Sequence, residues 1–145
     1  MDASPPRVLL SSEPDAPSAE IGRISDTIDE WNMAVTGLRD YRQIAIFLRD
    51  EHGQTRGGVT GGVWGGWFHV INLWVDEEIR GRGLGRELIL AAEEEARAAG
   101  AAMAFLETHT FQAPGLYAKL GYTTIARLDD YPPGHAQLIM TKSLV

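Results

Sequence analysis

The sequence predicts an α/β protein, a mixed sheet of strands with crossover helices. Three observations lead there. Short β-prone runs recur between residues 43 and 143, segments between them carry apolar residues at helical spacing, and one apolar run passes through an arginine- and glycine-rich turn directly into a helix. At 145 residues and 44% hydrophobic content, the chain is expected to be one domain with a real core.

Residues 1–18 are expected to be a short strand followed by the polar loop Ser11–Ser18. Ile21, Ile24, Ile28, Trp31 and Val35 then fall on one helical stripe, predicting a helix over Ala19–Met33. Gln43–Asp50 and Thr55–Val63 read as a hairpin across the turn Glu51–Gln54. The second of these strands holds Gly57, Gly58, Gly61 and Gly62, a pattern that marks either close backbone approach or a mobile loop between short strands. His69–Val75 reads as a buried strand. From Leu84 a helix runs through Leu88, Ala92, Ala96 and Ala99 to a stop at Gly100. Ala102–Leu106 is a continuous apolar run, expected to be a central strand covered on both faces. A short helix over Ala113–Leu120 and two strands, Thr123–Leu128 and Gln137–Ser143, complete the chain.

Composition excludes several functions. The absence of cysteine removes disulfides, thiolate zinc sites and a cysteine nucleophile. His52, His69, His109 and His135 show no zinc-ligand spacing, so no metal is expected. A net charge of −7 argues against nucleic acid as partner. The opening MDASPPRVLL and the lack of a long apolar run argue against a secretory signal or membrane span, so a cytoplasmic location is expected.

The strongest chemical signal lies between Leu73 and Gly100. The first turn of a helix leaves N–H groups without partners at the positive end of its dipole. Gly81, Gly83 and Gly85 let an anion approach the main chain, and Arg80, Arg82 and Arg86 add charge, so the turn is a candidate phosphate cradle. It is not a P-loop, which needs Gly-Lys-Ser/Thr, nor the dinucleotide fingerprint, which would need glycine at Arg86.

The spacing Arg80-x-x-Gly83-x-Gly85 after a strand and before a helix resembles the central motif of the GNAT superfamily of N-acetyltransferases. Glu107–Tyr122, with Tyr117 followed by x-Lys-x-Gly-Tyr, resembles that family's next block, and the likeness extends from about Trp31 to Leu144. The resemblance implies a mostly antiparallel sheet of six to seven strands, with two central parallel strands splayed to hold acetyl-CoA. It implies that Leu73, Trp74 and Val75 pair with the pantetheine arm. Arg80, Gly81, Arg82, Gly83, Leu84, Gly85 and Arg86 would hold the pyrophosphate, with Gln112 nearby. It makes Tyr117 the acid that serves the leaving thiol.

Glu107 is the first candidate for the base, with Asp76, Glu77 and His109 as alternatives. Asn32, Trp67, His69, His109 and the Asp130–His135 loop are candidates for the acceptor pocket, whereas Trp31 falls on the apolar stripe. The implied reaction is direct acetyl transfer to the amine of a small molecule or peptide. A non-catalytic acyl-CoA-binding module is the alternative. The likeness also implies a homodimer, with Gln137–Ser143 as a candidate interface.

Overall fold

The apolar stripe that begins at Ile21 forms helix α1, Ser18–Thr36, and Gly37 stops it. There the backbone turns left-handed at φ 72° and the Gly37 N–H returns to the Met33 carbonyl. The computed structural model describes residues 4–145 and divides into two compact units, Met1–Gly37 and Leu38–Val145. The first unit holds α1. The strand expected before it is absent from residues 4–17, where Val8, Leu9 and Leu10 stay exposed without a partner ladder.

The second unit carries six strands: β1 Arg42–Arg49, β2 Thr55–Trp64, β3 Trp67–Val75, β4 Met103–His109, β5 Thr123–Asp129 and β6 Ala136–Ser143. Helix α2, Leu84–Ala98, crosses from β3 to β4, and helix α3, Pro114–Lys119, follows β4. The sheet order is β1-β2-β3-β4-β6-β5, with β3 and β4 parallel and every other pair antiparallel. Ile44, Val59, Val63, Phe68, Val70, Ala104 and Leu106 meet Leu88, Ile89, Ala92 and Ala96 of α2 in one core. Among the described residues no helix is long and apolar enough to cross a membrane.

One expectation is corrected. Strand β4 is not covered on both faces: Ala104, Leu106 and Thr108 are buried, whereas Met103 and Phe105 are half-buried and Glu107 is exposed. The apolar run hid an ordinary period of two. Strand β6 offers no free edge for a second copy, because β4 and β5 flank it on either side.

The glycines of β2 serve close approach within a continuous strand. A Cβ on Gly61 would lie 2.2 Å from the His69 carbonyl oxygen and 2.6 Å from the Phe68 ring. That contact sits beside a β-bulge: Thr60 faces Asn72 and Gly61 faces Val70, leaving Ile71 as the extra residue of β3. Bulges bend and twist the strand that carries them. The parallel pairing of β3 with β4 runs from Trp67–Met103 to Val70–Leu106 and stops there, at the bulge. The splay implied by the family likeness therefore begins at Ile71.

No pattern in the sequence points to a buried charge, yet Glu93 of α2 is fully buried. Lys142 Nζ donates to both its oxygens at 2.8 and 2.7 Å, and the Tyr122 hydroxyl donates at 3.3 Å. Burial and the Glu93 carboxylate together push the Tyr122 phenol far up, so it stays neutral. Removing one partner of a buried ion pair leaves an uncompensated charge. Lys142→Met should therefore destabilise the fold by about 3–5 kcal/mol in chemical denaturation, with Glu93→Leu in the same chain restoring most of it. Gly61→Ala should cost about 1–3 kcal/mol by the same measurement, since the backbone of β3 must move to admit the methyl group.

Candidate active site

Where β3 and β4 part, they open a cleft of about 580 Å³ within the second unit. Its walls are Val70–Val75 of β3 and Leu106–Thr108 of β4. Its floor brings together the turn before α2 and the start of α3. Leu73, Trp74 and Val75 pair with Val59, Gly58 and Gly57 of β2 on one side and have no strand partner on the side of β4. An extended chain lying in the cleft would meet that unpaired side.

The turn at one end fits an anion. Gly83 is the residue before α2, left-handed at φ 75°, and no side chain caps the helix. Arg80, Gly81, Gly83, Leu84, Gly85 and Arg86 all line the cleft, and a Cβ at Gly81 or Gly83 would point into open space. A Cβ added at Gly85 would make only ordinary van der Waals contact, 3.4 Å from Leu116 of α3 and 3.9 and 4.0 Å from Val75 and Leu73 of β3. Arg80 Nε donates to the Val75 carbonyl at 2.9 Å, tying the turn to the end of β3. Arg82 does not line this cleft. It lines a separate hollow with Leu48, Arg49, Asp50 and Arg56.

Tyr117 of α3 also lines the cleft. It is 8% exposed and packs edge-on against Tyr122, with ring centroids 5.9 Å apart. Its hydroxyl hydrogen-bonds to no described residue, and no described polar side-chain atom is both buried and unpartnered, so the hydroxyl opens to the cleft. Burial raises the phenol above its ordinary value. Gln112 also lines the cleft. Its side-chain oxygen accepts from the His109 N–H at 2.8 Å and closes the turn between β4 and α3.

Of the candidate bases, only Glu107 lines the cleft. Asp76 caps the short turn after β3 by accepting from the Glu78 N–H at 3.0 Å, and Arg56 Nε lies 3.3 Å from its other oxygen. His109 is not among the residues lining the cleft; it stacks on Phe111, which is, and meets Tyr131 edge-on. Glu107 is bonded to His69: Oε2 lies 3.0 Å from His69 Nε2. His69 lines a neighbouring hollow of about 380 Å³ with Tyr41, Trp64, Trp67, Ile71 and Phe105. Ile71 borders both spaces. Asn32 belongs to the first unit, whereas the cleft is built by the second alone.

Sequence reading missed Phe105 and Phe111. Phe105 became legible only with the period of two in β4, which places it on the face of Glu107. Phe111 stands within the block Glu107–Tyr122 that carries the family likeness, but that likeness assigned it no role, and only the structure turns it into the cleft.

Residues 10–122 match the model of the acetyltransferase (GNAT) family. A blasticidin-S acetyltransferase of Streptomyces morookaense is 38% identical over 131 residues, spanning 84% of this chain and 96% of that protein. Acetyltransferase Atu2258 of Agrobacterium fabrum is 33% identical, spanning 88% and 92%. The crystal structure of an acetyltransferase from Bacillus cereus superposes with a TM-score of 0.77 at 30% identity, covering 89% of this chain and 94% of that one. A cleft between splayed strands, lined by an uncapped helix start and a buried tyrosine, thus accompanies a match over most of the chain: it belongs to the acetyltransferase (GNAT) family and is an acyltransferase.

Proposed function

We propose that the chain transfers an acetyl group from acetyl-CoA to a primary amine by direct attack in a ternary complex. The observation that carries this reading is the convergence of three features in one cleft: the unpaired edge of β3, the uncapped start of α2 and the free hydroxyl of Tyr117. Acetyl-CoA supplies the activated acetyl group as a thioester. The main chain of Leu73, Trp74 and Val75 holds its pantetheine arm. The N–H groups from Gly81 to Arg86, aided by the Arg86 guanidinium, hold the pyrophosphate, and Gln112 keeps the wall of the cleft in place.

Tyr117 serves the sulfur. A phenol's reference pKa of ~10 already exceeds a thiol's ~8.5, and burial widens the gap. Tyr117 therefore acts chiefly as a neutral hydrogen-bond donor to charge building on sulfur, a role favoured by a water-poor site. On the other side the attacking nitrogen must lose protons, and the Glu107–His69 pair faces that need.

The aromatic hollow beside His69 suits a small amine with a flat or cationic face, Trp67 and Phe105 forming its walls. The relative named for blasticidin S makes that compound the first acceptor to try. His109 stands outside the cleft and takes no part in the chemistry; it shapes the loop that carries Gln112. The reading needs no metal, and a cytoplasmic location suits a supply of acetyl-CoA.

Release of free thiol from acetyl-CoA, followed with blasticidin S and a panel of primary amines, tests the proposal. Tyr117→Phe should lower kcat by about 10²–10³-fold with little change in the KM for acetyl-CoA. Unchanged kcat in that variant would remove Tyr117 from the mechanism. Because burial raises the phenol, the wild type should lose no activity through Tyr117 ionisation below about pH 10, and a tyrosine-dependent loss under pH 9 would contradict its place in the site.

A further inference from the structure

We infer that His69 is the group that takes the proton from the attacking amine, and that Glu107 is its positioning residue. The inference rests on reading the cleft as the acyl-donor site. A carboxylate oxygen only accepts hydrogen bonds, so the ring nitrogen that faces Glu107 Oε2 at 3.0 Å must carry the hydrogen. In a neutral imidazole this leaves the lone pair on Nδ1, which has no partner among the described residues.

The ring is held twice. Glu107 fixes its edge, and Phe105 stacks beneath it with centroids 4.2 Å apart and planes 10° from parallel. Its place suits the task. His69 lines the aromatic hollow and Glu107 lines the donor cleft, so the pair spans the boundary where an acceptor nitrogen would meet the thioester.

The step balances. The nitrogen lone pair forms the bond to the carbonyl carbon, the carbon–sulfur bond breaks with its electron pair going to sulfur, and the nitrogen's surplus proton passes to His69 Nδ1. Tyr117 hydrogen-bonds the departing thiolate. The proton on His69 then leaves to solvent through the open hollow.

Two measurements decide the matter. In the wild type at pH 8, the ring-nitrogen NMR signals of His69 should show the Nε2–H tautomer; the Nδ1–H tautomer would overturn the assignment, because the lone pair would then face the carboxylate. With blasticidin S as acceptor, His69→Gln should lower kcat about 100-fold while acetyl-CoA still binds as tightly, and added imidazole should restore activity to His69→Gly. Glu107→Gln should lose about tenfold, and the double variant should be no worse than His69→Gln alone. Full activity in His69→Gln would overturn the inference. So would a double variant whose losses multiply, since Glu107 would then act independently. If the wild type itself failed to bind acetyl-CoA, the reading of the cleft would fall first, a failure distinguishable from this one.

Discussion

Everything in the site depends on where two parallel strands stop pairing. Strands β3 and β4 share a ladder over only four residue pairs, Trp67–Met103 to Val70–Leu106. The extra residue Ile71 then bends β3 away, and from that point the only strand that pairs with β3 is β2. A buried sheet does not ordinarily leave main-chain donors and acceptors unpaired. Here the unpaired edge is presented to a cleft, where an amide-bearing ligand can complete the ladder. Gly61 makes the bulge affordable, since any side chain there would collide with the His69 carbonyl. The same local geometry sets His69 just ahead of the bulge and opposite Phe105, so the opening of the cleft and the placing of the proposed base share one cause.

The far end of the cleft is held by packing rather than by pairing. Leu116 of α3 and Val75 and Leu73 of β3 surround Gly85 at the start of α2, so an uncapped helix terminus, the end of β3 and helix α3 come to one place. Behind them lies the buried Glu93–Lys142 pair, with Tyr122 donating to Glu93 and standing edge-on to Tyr117. Lys142 comes from β6 and Glu93 from α2, so the ion pair fastens a sheet strand to the helix that forms the anion turn. Buried pairs of this kind add less net stability than their contacts suggest, but they penalise misregister strongly.

Local patterns made much of this legible. The elements from β1 onward, the turn at Gly81–Gly85 and the tyrosine of α3 follow from periodicity, glycine placement and the likeness of two motifs. What stayed hidden was long-range. The His69–Glu107 contact joins residues 38 positions apart, and the Lys142–Glu93 contact joins residues 49 apart, so neither leaves a spacing to read. The alternation in β4 was masked because Met103 and Phe105 are themselves apolar, although their side chains face the less buried side. Arg82 shows the limit of reading a motif as a cluster: in sequence it lies within the turn, yet its side chain lines a different hollow from Arg80 and Arg86.

The central claim is that the cleft binds acetyl-CoA through the main chain of the turn before α2. Calorimetric titration of the wild type and of Gly83→Trp with acetyl-CoA tests it most directly. At Gly83 a side chain would project into open space on the cleft, so the indole should occupy the pyrophosphate position. The left-handed backbone there costs a non-glycine residue about 1–2 kcal/mol, so circular dichroism must first show that the variant is folded. Micromolar binding by the wild type, lost in the folded variant, is the predicted result. Equal binding by both proteins, or none by the wild type, would contradict it.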